Sequence, residues 1–158
     1  MEAQGRIVAS TVTESHEQDP SQVPALLSQV DRVIERCIGD GLCDHAPVYT
    51  AVEHHSPGAR VIIPPRKDAV LSVTASTAPT QRDQQVWAIE RNGRCAWKRT
   101  SGYSAQSQAE NAFSRFKRTF GGGFRSKRDA CQEREAALAC ALLNRMQVMG
   151  RPQSYAIR

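Results

Sequence analysis

Aromatic residues are scarce in this sequence: two Trp, three Tyr and four Phe in 158 positions. So few large side chains build only a modest core, and much of the chain is expected as exposed, charged helix. Cysteine occurs five times, at Cys37, Cys43, Cys95, Cys131 and Cys140, an odd count without a Cys-x-x-Cys pair. That argues against a disulfide-built scaffold and for reduced thiols in a cytosol. No apolar run approaches the ~20 residues of a membrane span. Met1 to Arg6 carries no signal-peptide pattern. The expectation is a soluble, cytoplasmic protein with no membrane contact. Basic residues are almost missing from positions 1–57, where three arginines face nine acids, whereas positions 58–158 carry eighteen basic residues against seven acids. A basic stretch of this kind suits a polyanion such as nucleic acid, and a solvated surface balancing the acidic part is the plainer alternative.

The length fits one domain. Arg6 to Thr13 reads as a strand. From Ser21 the apolar positions Val23, Leu26, Leu27, Val30 and Val33 repeat with helical period, and Pro24 is tolerable in a first turn. Val33 to Ile38 reads as a short strand ending at Gly39-Asp40-Gly41. Asp44 is a suitable N-cap for a helix through about His54. Ala59 to Ile63 is a second apolar strand, stopped by Pro64-Pro65, and residues 66–80 read as loop. Helices are expected at about Gln81 to Arg91, with Gly93 just past the end, at Tyr103 to Phe120 before three glycines, and at 129–149, where Asp129 and Gln132 resemble a capping box. Strands alternating with helices make the chain α/β.

Two features bear on chemistry. Asp40 directly follows a strand, where open α/β sheets place their ligand sites, and its flanking glycines leave the carboxylate open, although Gly-Asp-Gly also favours a plain turn. Tyr103, Glu110 and Lys117 are spaced seven apart, which on one helix lines them in a single stripe. A solvated face, with Glu110 pairing weakly to Arg115 or Ser114, accounts for the same spacing. Taken together, two carboxylates can hold Mg²⁺ or Mn²⁺ through hard oxygens, and Lys117 can neutralise a neighbouring phosphate. Arg125, Lys127 and Arg128 follow a glycine-rich turn and suit phosphate contacts or a solvated loop. Cys37, Cys43, His54 and His55 match no common zinc spacing. Trp87 and Trp97 read as packing anchors.

The segment from Ser101 to Lys117 resembles the signature of bacterial insertion-sequence transposases of the DDE type: Tyr, two residues, Arg, three residues, Glu, six residues, Lys. Tyr103, Glu110 and Lys117 fall in register, while Gln106 stands at the Arg position. Asp40 in Gly-Asp-Gly-Leu-Cys-Asp resembles the family's second catalytic Asp, with Leu42-Cys43 a departure. Ser21 to Leu27, Val61 to Arg66 and Ala141 to Met146 also look like family segments, so the resemblance runs from about residue 5 to 155. It implies a ribonuclease H-like catalytic core, a single partial domain over 1–158 that lacks its first strand and the first catalytic Asp. Glu2 stands near that Asp position. The resemblance further implies DNA transposition: Asp40 and Glu110 as catalytic, metal-holding residues for Mg²⁺ or Mn²⁺, and DNA contacts by Tyr103 and Lys117. DNA would be the partner, as element ends and as target, in a homo-oligomer when active. An upstream transposase fragment supplying the absent strand would be a second partner, and without it the chain is expected to be inactive. A non-catalytic DNA-binding remnant is the alternative.

Overall fold

A parallel pair of three-residue strands, β1 (Arg36–Ile38) and β2 (Arg60–Ile62), forms the sheet, in the register Arg36↔Arg60, Cys37↔Val61 and Ile38↔Ile62. The structure, a computed structural model, describes residues 5–13 and 19–150. The chain divides into two compact units, Glu14–Ser107 and a second one made of Met1–Thr13 with Gln108–Arg158. The α/β reading holds for this mix of helices and a small parallel sheet.

In the first unit a 3-10 turn, Asp19–Gln22, runs into the short helix α1 (Val23–Leu27), which has Pro24 in its opening turn. The helical period read through Val33 is not used. At Ser28 the hydroxyl donates to the Ala25 carbonyl, and the amides of Gln29 and Val30 bond three residues back, to Leu26 and Leu27. These tighter bonds close the helix. The two strands are joined by α2 (Ala46–His55), as a parallel pair requires. Val48 and Val52 of α2 form one buried cluster with Ala59, Val61 and Ile63, and Val23, Leu27, Ile34, Cys37, Cys43 and Tyr49 pack around it. Burial in this cluster pushes the Cys37 thiol up from its ordinary range.

The far edge of β2 is covered by side chains. On α3 (Gln81–Asn92), Gln81 accepts from the Val61 amide at 2.9 Å and donates to the Ala59 carbonyl at 2.9 Å, and Gln85 accepts from Ile63 at 3.2 Å and donates to Val61 at 2.8 Å. Two glutamines one helical turn apart therefore satisfy this edge as a neighbouring strand would. On the inner side Arg60 bonds the Glu35 carbonyl and Gly39 bonds that of Ile62. Strand alternation then turns the N–H and C=O of Arg36 and Ile38 to the outer edge, where they meet no partner among the described residues.

A capping box between Thr80 and Asp83 starts α3, and Gly93, at φ 79°, ends it. The chain restarts at once as α4 (Arg94–Thr100), a helix the sequence pattern did not reveal. Its Trp97 is buried. The 66–80 segment is a loop, as read, and it is fastened from α3. The Asp83 carboxylate, fully buried, accepts from the Ser72 amide and hydroxyl and from the Thr80 amide and hydroxyl, at 2.7 to 2.9 Å, while Arg82 donates to the Val70 carbonyl.

The second unit holds all but the first residue of α5 (Ser107–Phe120), together with α6 (Asp129–Val148). Residues 6–13 form no strand. Ile7 is paired instead through its amide and carbonyl to the Asn144 side chain, at 2.8 and 2.7 Å, so an amide on α6 takes the place of a strand partner. Asp129 is the first residue of α6 rather than its cap, and no side chain caps this helix; Gln132 donates to the Ser126 carbonyl instead. Ala136, Ala139 and Leu143 form the buried face of α6.

Candidate catalytic carboxylates and DNA-contact residues

Asp40 follows β1 directly, at the C-terminal end of the parallel pair. Its Oδ1 accepts from the Leu42 amide at 2.9 Å and so starts the 3-10 turn Gly41–Cys43. The plain-turn reading and the open-carboxylate reading both apply, because Oδ2 makes no hydrogen bond among the described residues and the residue is half-buried. Gly39 is needed by close approach: a Cβ there would stand 3.1 Å from Cys43 Cβ and 3.3 Å from Ile63 Cγ1.

Asp44, expected as a helix cap, does something else. His45 occupies the cap position of α2 without a side-chain bond. The Asp44 side chain is 0% exposed and takes a bidentate pair of bonds from Arg82, Nε to Oδ1 at 2.8 Å and Nη2 to Oδ2 at 3.1 Å, with the Arg66 amide at 3.1 Å and the Tyr49 hydroxyl at 3.4 Å. A carboxylate buried this deeply is drawn to a guanidinium rather than to a helix terminus, because only an opposite charge and several donors offset its lost hydration. Asp44 thus ties the Asp40 turn to α3 and to the strand exit at Arg66. The second Asp of Gly-Asp-Gly-x-x-Asp was the one signal for it. Burial, and then the Asp44 charge, push the Tyr49 phenol above its usual range.

Glu110 lies in the first turn of α5, exposed and without a hydrogen bond or ion pair among the described residues, so the expected pairing with Arg115 or Ser114 is not made. Lys117 is exposed two turns further along, with Nζ 4.5 Å from the centroid of the Phe113 ring. Tyr103 is outside this helix. It opens a 3-10 turn, Tyr103–Gln106, after Gly102 at φ 85°, and its ring packs 5.7 Å from that of Trp97, with Lys98 Nζ 5.3 Å from its centroid. The break at Gly102 and the tighter pitch of the turn separate Tyr103 from the α-helical stripe of Glu110 and Lys117. Arg125, Lys127 and Arg128 are exposed in the loop before α6, which Glu135 holds by accepting from the Arg125 and Ser126 amides. Glu2 lies outside the described residues. Among the described residues no three His, Cys, Asp or Glu side chains gather into a metal-holding group, and none of the helices is long and apolar enough to cross a membrane.

The transposase DDE domain family matches residues 1–145. The chain belongs to this family. Membership ties it to DNA transposition, with DNA as substrate and divalent metal as the family's usual cofactor. No solved structure matches the chain. Within the transposase DDE domain the donor chemistry of Asp40 and Glu110 fits a hard cation: both are carboxylates, and each keeps at least one oxygen free of protein donors among the described residues.

Proposed function

We propose that this chain carries out the metal-dependent phosphodiester cleavage and strand transfer of an insertion sequence, with Asp40 and Glu110 holding Mg²⁺ or Mn²⁺. The carrying observation is that these two residues, at the family's motif positions, present carboxylate oxygens that no protein cation neutralises. The bound cation would supply activation of the attacking hydroxyl and stabilisation of the leaving oxygen. Tyr103, Lys117, Arg125, Lys127 and Arg128 hold the DNA backbone. The reaction is hydrolysis at the element ends, in which a water oxygen bonds phosphorus and the 3′-oxygen leaves, followed by attack of that 3′-hydroxyl on a target phosphodiester, in a homo-oligomer.

The fold proposed for residues 1–158 is one ribonuclease H-like catalytic domain, with 129–149 as its C-terminal helix and a further strand along the outer edge of β1. Support for that strand comes from the unpaired N–H and C=O groups of Arg36 and Ile38, since isolated two-stranded pairs are marginal in water. Two carboxylates hold cations less firmly than three, so cleavage by this chain alone should be weak. A second reading, a non-catalytic DNA-binding remnant or the downstream half of a split transposase, is favoured by Gln106, which brings no charge where the family's pattern has Arg.

The deciding experiment incubates the chain with Mg²⁺ or Mn²⁺ and a duplex carrying the element's ends, with and without a polypeptide supplying the third carboxylate. Cleavage in either arm that disappears in Asp40→Asn and in Glu110→Gln supports the catalytic reading. Binding without cleavage in both arms supports the remnant, and cleavage that survives both substitutions refutes the site.

A further inference from the structure

Arg36 and Arg60 are register partners on adjacent parallel strands, so their side chains leave the same face of the sheet as immediate neighbours. Both are exposed, and neither makes an ion pair or side-chain hydrogen bond among the described residues. Like charges side by side on a sheet are destabilising, and here no acid offsets them. Arg36 is also the last of only three basic residues in the first 57 positions. Its Nη1 lies 3.8 Å from where a Cβ of Gly102 would stand, so it reaches the turn that carries Tyr103. Lys98 approaches the same turn from α4, with Nζ 5.3 Å from the Tyr103 ring, and makes no ion pair among the described residues. The buried Trp97 ring packs against the other aromatic partner, Tyr103, and so helps fix the turn between these cations.

We infer that Arg36, Arg60 and Lys98 form a phosphate-binding patch around the Gly102-Tyr103 turn and hold the backbone of duplex DNA. Guanidinium groups in a row match phosphate oxygens by paired hydrogen bonds, and the ammonium adds a mobile charge. Arg36 lies four residues before Asp40 on an extended segment, ~13 Å along it, which is about four base-pair rises of ~3.4 Å. One DNA segment can therefore lie on the patch and reach the Asp40 turn. The inference rests on the reading that the chain acts on DNA, and it adds three residues that neither the family signature nor the basic 58–158 stretch singles out together.

The test is fluorescence anisotropy of the full chain with a labelled random-sequence duplex of about thirty base pairs, between 50 and 200 mM salt, roughly the range over which phosphate contacts dominate. The triple variant Arg36→Gln, Arg60→Gln, Lys98→Gln is compared with a control that removes equal charge elsewhere, Arg91→Gln, Arg134→Gln, Arg145→Gln. Circular dichroism confirms that both fold. The patch variant should bind at least ~10-fold more weakly, with a log–log salt slope smaller by about 2, at roughly 0.9 per phosphate lost. The control should stay within a factor of about 3 of wild type, since exposed charges away from the contact act only through screened, long-range attraction. The lysine pair Arg36→Lys, Arg60→Lys, which keeps the charge, should retain most of the slope. An unchanged slope in the patch variant, or an equal loss in the control, overturns the patch while leaving DNA binding intact. Wild-type chain that shows no salt-dependent DNA binding overturns the DNA reading itself.

Discussion

Replacing Asp44 by Asn tests whether the Asp40 turn is anchored as described. The substitution keeps the shape of the side chain and removes its charge. If the new amide nitrogen takes the place of Oδ2, it faces two donors, Arg82 Nη2 and the Arg66 amide, both at 3.1 Å in the native arrangement. If it takes the place of Oδ1, it faces Arg82 Nε at 2.8 Å and the Tyr49 hydroxyl at 3.4 Å. Either way at least one charge-assisted bond becomes a donor–donor contact. Breaking a buried pair by removing one partner costs about 3–5 kcal/mol. Arg82 is 26% exposed, so water recovers part of its solvation, and a net loss of about 3 kcal/mol is expected.

Urea unfolding followed by circular dichroism measures that loss directly, and the melting temperature should fall by roughly 10 °C for a chain of this size. The double variant with Arg82→Gln closes a thermodynamic cycle in which the two single losses should be non-additive by at least ~1 kcal/mol. Tyr49 provides an independent readout. Burial first, and the Asp44 charge second, hold its phenol above the usual range, so removing the charge should lower the pH at which its phenolate absorbance appears. A loss below ~0.5 kcal/mol, within ordinary surface-substitution effects, would refute the anchoring argument, and so would additivity of the two single variants.

Asp83 gives a pH test. Burial opposes its charged form, but the amides and hydroxyls of Ser72 and Thr80 outweigh that and hold the carboxyl well below the usual carboxylate range. With the folded value depressed, its contribution is complete above an unfolded pKa of ~3.9 and is lost as pH falls through the folded value. Asp83→Asn should therefore cost about 2–3 kcal/mol near neutral pH, with the gap to wild type closing in urea melts below about pH 4; a gap independent of pH would count against this account. Gln85→Ala leaves the Ile63 amide and the Val61 carbonyl unpaired in buried strand residues and should cost about 2 kcal/mol. Faster hydrogen exchange at Ile63 is the matching observation, and unchanged protection there would show that the glutamine does not serve as an edge cap.

What could be read from the sequence was local. Val33 to Ile38 and Ala59 to Ile63 are apolar runs closed by Gly-Asp-Gly and Pro-Pro, and both contain the strands found. Gln81 to Asn92 and Ser107 to Phe120 end at glycines with positive φ, Gly93 and Gly121, as the stop signals suggested. What could not be read depended on distant partners or on an ambiguous signal. Asp44 follows a turn and precedes a helix, which makes it look like a cap; its actual partner, Arg82, is 38 residues away. Gly93 stops one helix and opens the next, and α4 buries a single Trp, so no apolar period marked it. Ile7, Val8 and Val12 alternate like a strand, but a strand exists only with a neighbour, and the neighbour of Ile7 is the amide of Asn144. The candidate site divides in the same way. Asp40 and Glu110 were legible from motif and spacing, whereas the departure of Tyr103 from the helix follows from the left-handed Gly102 backbone.

The two edges of the small sheet carry a consequence for Asp40. On the β2 side four backbone groups are satisfied by Gln81 and Gln85, so that edge is closed to any strand. On the β1 side Arg36 and Ile38 leave their N–H and C=O groups unpaired among the described residues. Asp40 is two residues beyond the end of this open strand, while Asp44, fixed by Arg82, holds the turn from its other end. The turn is therefore secured on one side by a buried ion pair and on the other only by three residues of strand. A strand added along β1 would supply several backbone bonds at its open edge and would restrain the approach to Asp40 from that side. On the proposed reading, metal affinity at Asp40 is then coupled to strand pairing, because a carboxylate held within a narrow range of positions binds a cation more tightly than one on a loosely held turn.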